Sequence, residues 1–404
     1  MKLPDAPWQH RPGLKPVLDT LGAPAGETRY VGGCVRDTML GLPVSDIDLA
    51  TRLLPQEVIR RLDAAGIKAV PTGLAHGTVT AVSAGQPVEV TTLRRDVATD
   101  GRRATIAFSK DWREDAARRD FTINALSADL ADGQIHDYFG GLVDLSARLV
   151  RFIGDPLIRI AEDHLRILRF FRFHARFGQG EPDPAGLEAC IARANDLMAL
   201  SRERISGELL RLLALADPGP TMRLMIERGI WRPVLPEIGP DGADRLDRVI
   251  GRERLAGEEP DPIRRLAALL PRDPRVVASL GARLRLANMA RDCLVALTSE
   301  APFIGDPRQL AFATGTATAM SLLILSDLPP DELAGQAERL RGWEIPRFPL
   351  KGGDLIAMGL PRGPIVAQTL QELRAAWSAD GFPAEAEVQA MARAAVAQAL
   401  GASQ

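Results

Sequence analysis

Between Arg29 and about Ile153, apolar and polar positions alternate in short runs broken by glycine and proline. Such alternation is the mark of half-buried strands. Arg29–Val31, Ser45–Ala50, Gly77–Val82 and Pro87–Leu93 predict strands, with a further short one at Ile135–Tyr138. Val35–Leu40 and Pro55–Ala65 predict helices. From Ile158 onward the two-residue alternation gives way to apolar positions three and four apart. These predict helices over Ile158–Phe177, Glu188–Leu200, Arg204–Leu215, Thr221–Arg228, Pro262–Leu270, Val276–Leu284, Asn288–Thr298 and Pro364–Ala379. Residues 1–27 form a proline-punctuated extension with one helix near Leu14–Leu21. No repeat period is visible. The expectation is an α+β protein: a mixed head, then an all-helical remainder.

Composition narrows the class. The chain has 404 residues, 46% hydrophobic and 25% charged, enough for two or three globular domains. A net charge of −2 argues against a uniformly basic surface but leaves room for a local phosphate-binding patch. Cys34, Cys190 and Cys293 are far apart and form no CxxC pair, so neither zinc nor a disulfide framework is expected. The N-terminus lacks the apolar run of a signal peptide, and no stretch approaches the ~18 apolar residues of a membrane span. A cytoplasmic protein without membrane partners is expected.

The candidate chemistry begins at Gly32-Gly33-Cys34-Val35-Arg36-Asp37, followed by Asp46-Ile47-Asp48-Leu49-Ala50-Thr51. On a strand, residues i and i+2 share a face, so Asp46 and Asp48 would stand side by side. Paired carboxylates repel unless a cation lies between them. Mg²⁺ is held by such carboxylates together with nucleotide phosphates. Gly32 and Gly33 would let backbone approach a phosphate, and Arg36 adds positive charge on that side. A lone DxD is usually a solvated loop; its pairing with GGxVRD ten residues earlier is far more specific.

This pairing resembles the nucleotidyltransferase superfamily with a polymerase-β-like head. More closely, it resembles the class II branch that holds bacterial tRNA CCA-adding enzymes and poly(A) polymerases. The resemblance implies that Asp46 and Asp48 bind two Mg²⁺ ions, and that a 3′-hydroxyl attacks the α-phosphorus of a nucleoside triphosphate. Glu89, on a predicted neighbouring strand, is the candidate third carboxylate; an ordinary outward-facing strand residue fits it as well. The run Arg118-Arg119-Asp120-Phe121-Thr122-Ile123-Asn124-Ala125 matches the family's RRDFTINA motif without a gap. The resemblance implies that Arg119 contacts the nucleotide while Asp120 and Asn124 shape its pocket.

Glu162-Asp163-His164-Leu165-Arg166-Ile167-Leu168-Arg169-Phe170-Phe171-Arg172 is the third signal. On one continuous helix Glu162, Asp163, Arg166 and Arg169 would fall within roughly 120° of arc, with Arg172 at its edge. Alone, this is a salt-bridged surface. It is also similar to the family's base-reading helix, which implies that Asp163 accepts from the exocyclic amine of cytosine or adenine and Arg166 donates to the ring. Arg169 and Arg172 would then support the triphosphate or orient that pair.

The implied parts are an extension (1–27), a catalytic head (28–153), a neck with the base-reading helix (154–216), a body (217–328) and a tRNA-binding tail (329–404). The polar segment Thr92–Phe108, with Asp100-Gly101-Arg102-Arg103 at its centre, resembles the flexible loop of enzymes that add complete CCA from CTP and ATP. Poly(A) synthesis and partial (CC or A) addition share the motifs, but the C-terminus is not basic and no GRRF-type signature is present. A catalytically inactive RNA-binding module would not need both aspartates. No GxGxxG supports an oxidoreductase, and no His-Asp pair in the tail supports an appended phosphohydrolase. Arg202, Arg204, Arg283 and Arg285 are candidate contacts to the tRNA elbow; protein partners remain unspecified by the sequence.

Overall fold

The computed structural model describes residues 1–99, 104–299 and 305–401. The chain divides into two compact units, Met1–Pro240 and Asp241–Gln404. The first carries a seven-stranded sheet and the second is helical, as the change of periodicity near Ile158 anticipates.

The strands of the first unit are β1 (Thr28–Val31), β2 (Asp48–Thr51), β3 (Lys68–Gly73), β4 (Thr78–Ser83), β5 (Gln86–Thr92), β6 (Arg94–Thr99), β7 (Ala104–Phe108), β8 (Ser127–Asp129) and β9 (Ile135–His136). The main sheet has the order β3-β4-β5-β2-β1-β8-β9. Only β2 and β5 pair in parallel, so the sheet is mixed. Its apolar face rests on Val79, Ala81, Val88, Val90 and Leu49, all buried against helices such as Pro55–Ala64, whose Val58 and Leu62 are also buried.

Three sequence expectations change. The strand expected at Ser45–Ala50 starts only at Asp48, so Asp46 stands in irregular chain before it. Pro43 removes a backbone donor just upstream, which disfavours strand pairing there. The segment Thr92–Phe108 is not a loop throughout: β6 and β7 form a separate antiparallel ribbon, and its centre, Asp100–Arg103, lies outside the described residues. The helix expected at Ile158–Phe177 is two helices, Pro156–Glu162 and Arg166–Phe177, interrupted where Asp163 takes an extended conformation (φ −152°, ψ 105°).

Around that interruption lies an aromatic core. Phe121, Phe152, Phe170 and Phe171 are fully buried, and Phe152 stacks on Phe170 with centroids 5.4 Å apart. This core fixes helix Arg166–Phe177 against the segment that follows Arg119-Asp120. In the second unit, helices from Pro240–Ala256 to Glu385–Gly401 pack around two apolar clusters, one centred on Leu323, Leu333 and Leu340, the other on Leu355, Trp377 and Val388. Glu253, buried there, pairs with Arg264 (2.9 Å) and Arg265 (2.7 Å). No helix among the described residues is long and apolar enough to cross a membrane.

Candidate active site

The site starts at the bend between β1 and helix Gly33–Met39. Gly32 has φ +67°, ψ −121°, a conformation costly for any residue with a Cβ. A Cβ there would also sit 2.7 Å from Arg119 Nη1. The sequence thus folds Arg119 over bare backbone. Cys34, fully buried behind the bend, donates its thiol to the Val31 carbonyl (3.4 Å) and the Asp48 carbonyl (3.7 Å), linking the bend to β2. Burial pushes that thiol up to about 12, so it is structural rather than reactive.

The carboxylates lie beside this bend. Asp48 is directly opposite Glu89 in the parallel β2–β5 pairing, which puts both side chains on one face. Burial pushes the Asp48 carboxyl above the ordinary range. The negative charges of Glu89 and Asp46 push the same way, opposed by Arg119 and Arg36. Asp46 is exposed and accepts from the Ser45 hydroxyl at 2.8 Å. Among the described residues no group of three or more His, Cys, Asp or Glu forms a ready-made metal cage. Mg²⁺ does not require one, since it commonly takes one or two carboxylates with the rest from water and phosphate. Oxygen donors carrying a desolvated, mutually repelling charge fit such a cation.

Next to the carboxylates opens a cleft of about 490 Å³ lined by Gly32, Gly33, Arg36, Arg94, Arg118, Arg119, Asp120, Asn124, Asp163, Arg166, Arg169 and Phe173. Of the residues singled out in the sequence, Gly32, Gly33, Arg36, Arg119, Asp120, Asn124, Asp163, Arg166 and Arg169 meet here. Asp46, Asp48 and Glu89 are outside its lining, and Asp48 couples to it through the charges of Arg119 and Arg36.

The cleft wall is a hydrogen-bonded relay. Asp120 accepts from the Phe121 N–H and Asn124 Nδ2 (both 2.9 Å) with one oxygen and from Arg169 Nε (2.7 Å) with the other. Burial alone would raise its pKa; the Arg169 charge and these hydrogen bonds outweigh it and hold the carboxyl below the ordinary range. Asn124 Oδ1 accepts from Arg36 Nη1 at 2.5 Å. Arg36 lines the cleft, but its guanidinium is largely engaged within the protein. It is buried, bonded to Asp37 at 2.7 Å and placed 4.1 Å from the Phe177 ring centroid, because the helix that follows the bend packs inward.

At the far end, Asp163 accepts from the Leu165 N–H (3.1 Å) and from Arg204 Nη2 through both oxygens, at 3.0 and 2.8 Å. Arg204, a candidate tRNA contact in the sequence, thus has one nitrogen bonded to Asp163 at the cleft and keeps about a third of its side chain exposed. Arg166 donates Nη1 to Glu162 and to the Arg159 carbonyl, and Nη2 to the Arg118 carbonyl. Arg172 does not line the cleft. It donates to the buried Glu208 at 2.6 Å, a partner on the neighbouring helix Arg202–Leu213 that draws it away from the cleft.

Sequence reasoning passed over Arg159, which supports this wall from behind. Arg159 is buried and joins Glu162 (2.5 Å) to the Arg119 carbonyl. Its only signal was the ordinary i, i+3 spacing to Glu162.

The model described as the poly A polymerase head domain matches residues 28–151. A second, described as the probable RNA and SrmB- binding site of polymerase A, matches residues 181–241. Fold and matches together define a nucleotidyltransferase with a poly(A) polymerase-type head. CCA tRNA nucleotidyltransferase 1, mitochondrial, of Danio rerio is 37% identical over 367 residues, covering 87% of this chain and 83% of its own. The CCA-adding enzyme of Limosilactobacillus fermentum is 32% identical over 387 residues, covering 92% and 94%. The crystal structure of the Bacillus stearothermophilus CCA-adding enzyme in complex with CTP superposes with a TM-score of 0.72 at 27% identity, covering 92% and 94%. The chain belongs to the CCA tRNA nucleotidyltransferase family.

Proposed function

We propose that this protein adds CCA to the 3′ ends of tRNA from CTP and ATP. The observation that carries the proposal is the single cleft in which the Gly32 bend, Arg119 and the Asp163–Arg166 pair meet beside Asp48 and Glu89. In each step the 3′-oxygen of the acceptor forms a bond to the α-phosphorus, the bond to pyrophosphate breaks, and the hydroxyl proton leaves. Asp46 and Asp48, with Glu89, would hold Mg²⁺, which when bound neutralises the triphosphate and favours the ionised 3′-hydroxyl. Arg119 meets the nucleotide over the glycine bend. Asp120 and Asn124, whose groups are engaged with Arg169 and Arg36, keep the pocket's shape rather than titrate.

Base choice falls to Asp163 and Arg166. An exocyclic amine of cytosine or adenine can donate to the Asp163 carboxylate while Arg166 donates to a ring acceptor. Uracil and guanine would present a carbonyl to a carboxylate, leaving both unpaired at about 1–3 kcal/mol. Arg169 keeps Asp120 charged, and Arg172 acts on packing rather than on the triphosphate. We assign residues 28–153 to catalysis, 154–216 to base reading and the parts beyond 217 to gripping tRNA by shape and phosphate contacts. Free thiols at Cys34, Cys190 and Cys293 suit a reducing, cytoplasmic compartment.

The test is a tRNA transcript lacking its 3′ CCA, incubated with Mg²⁺ and each nucleoside triphosphate alone and in combination. CTP alone should add CC, and CTP with ATP should complete CCA and stop. Long adenylate tails would assign poly(A) synthesis instead, and arrest at CC with both substrates present would assign partial addition.

A further inference from the structure

The segment that carries Asp46 is anchored on its far side by Ile47, which is buried and whose carbonyl accepts from the Glu89 N–H at 3.2 Å; the residues before it are tied more sparsely. Residues 43–46 form no secondary structure. Among the described residues, one hydrogen bond reaches them from elsewhere in the chain, from Arg11 Nη1 to the Ser45 carbonyl at 3.3 Å. The other Arg11 nitrogen, Nη2, donates to Gln86 Oε1 at 2.7 Å, and Gln86 opens β5, the strand of Glu89. One guanidinium therefore ties the Asp46 segment to the Glu89 strand. Its fork geometry suits two acceptors at once.

Arg11 is itself firmly seated. Trp8, three residues earlier, is buried and donates its indole N–H to Thr38 Oγ1 at 2.9 Å. Thr38 belongs to the helix that leaves the Gly32 bend. Two residues after Arg11, Gly13 (φ +83°) lies so close to β4 that a Cβ would stand 2.7 Å from the Ser83 carbonyl. Leu14, Val17 and Leu21 then bury completely or nearly so. All of this precedes residue 28, where the head-domain match starts.

We propose that the extension before β1 is a bracket for the active site, with Arg11 as the positioning residue that sets Asp46 against Asp48 and Glu89. The idea rests on the metal-binding reading of Asp46 given above. Arg11 fixes the backbone one residue before Asp46, as the Glu89–Ile47 backbone bond fixes it one residue after, so the carboxylate is set from both sides.

Arg11→Ala and Arg11→Lys, compared with Asp46→Ala, test this. Divalent cation affinity is read without turnover, by Mn²⁺ paramagnetic resonance titration of the full chain with CTP and no tRNA. Kinetics are then measured against Mg²⁺ on tRNA lacking CCA. For Arg11→Ala the bracket predicts Mn²⁺ affinity weaker by about three- to tenfold, the scale of one lost hydrogen bond. Half-saturating Mg²⁺ should rise to match, with KM for CTP and Tm unchanged. Arg11→Lys, which can still donate to the Ser45 carbonyl, should recover most of the loss. Wild-type Mn²⁺ affinity in Arg11→Ala overturns the bracket, as does a loss that tracks a lowered Tm and is not recovered by lysine. Transfer that survives in Asp46→Ala overturns the site reading itself, whatever Arg11 does.

Discussion

Asp48 and Glu89 face each other across the one parallel strand pair of the main sheet. Burial and the neighbouring charges of Glu89 and Asp46 lift the Asp48 carboxyl above the ordinary range. A carboxyl whose pKa is raised by folding favours the native state when protonated. That contribution is full below the ordinary Asp value and fades as pH rises through the raised one. At neutral pH the ionised Asp48 therefore costs the metal-free protein stability, and a bound cation would relieve that cost.

Asp48→Asn should consequently raise the Tm of the metal-free protein at neutral pH while lowering nucleotide transfer by about a hundredfold or more. Thermal scans with and without Mg²⁺ check both halves. Mg²⁺ should raise the Tm of the parent and leave the variant's unmoved; a variant less stable than its metal-free parent would contradict the electrostatic reading.

Gly32→Ala tests the bend. The new Cβ needs the space of Arg119 Nη1, in a backbone conformation that alanine resists. A stability loss of about 1–2 kcal/mol is expected from such strain, with KM for both nucleotides raised because Arg119 is pushed off its seat. Denaturant unfolding and initial-rate kinetics measure the two effects separately.

Arg204, on another helix, anchors Asp163, so the base-reading role proposed for Asp163 would make base choice sensitive to Arg204 as well. Asp163→Ala should relax discrimination of CTP from UTP by about tenfold or more, on the scale of one buried unpaired group. Arg204→Ala leaves the carboxylate present but unanchored, so a smaller relaxation in the same direction is expected, with transfer of CTP largely retained. Unchanged misincorporation in both variants would remove Asp163 from base reading.

Asp120→Ala breaks a pair in which Asp120 is buried and Arg169 keeps about a third of its side chain in water (31%). The loss should be about 2–3 kcal/mol, below the usual range for fully buried pairs because of that exposure. Since the folded pKa of Asp120 is depressed, its stabilisation is present above the ordinary carboxylate value and is lost as pH falls through the folded one. The parent and the variant should therefore converge in stability on acidification, which urea titrations across the acid range would show.

The head was legible where alternation met turn residues: β1, β4 and β5 fall where the sequence places them, within a residue or two. The glycine bend was legible because Gly32-Gly33 has no bland substitute at that conformation. The break at Asp163 was not, because Ile160, Leu165, Ile167 and Leu168 keep a helical apolar spacing across it and no glycine or proline marks it. The ribbon β6–β7 was hidden by its charge, since Arg94-Arg95-Asp96 reads as loop although the backbone pairs regularly. The roles of Arg36, Arg172 and Arg204 depend on long-range partners, Asn124, Glu208 and Asp163, that no local pattern identifies.

The most direct measurement is a crystal structure of the full chain with Mn²⁺ and an unreactive CTP analogue, read by the metal's anomalous signal. The account predicts peaks between the Asp46 and Asp48 carboxylates and the triphosphate, with the cytosine amine within hydrogen-bond distance of Asp163. Metal peaks away from these two residues, or a cytosine whose amine points away from Asp163, would contradict it.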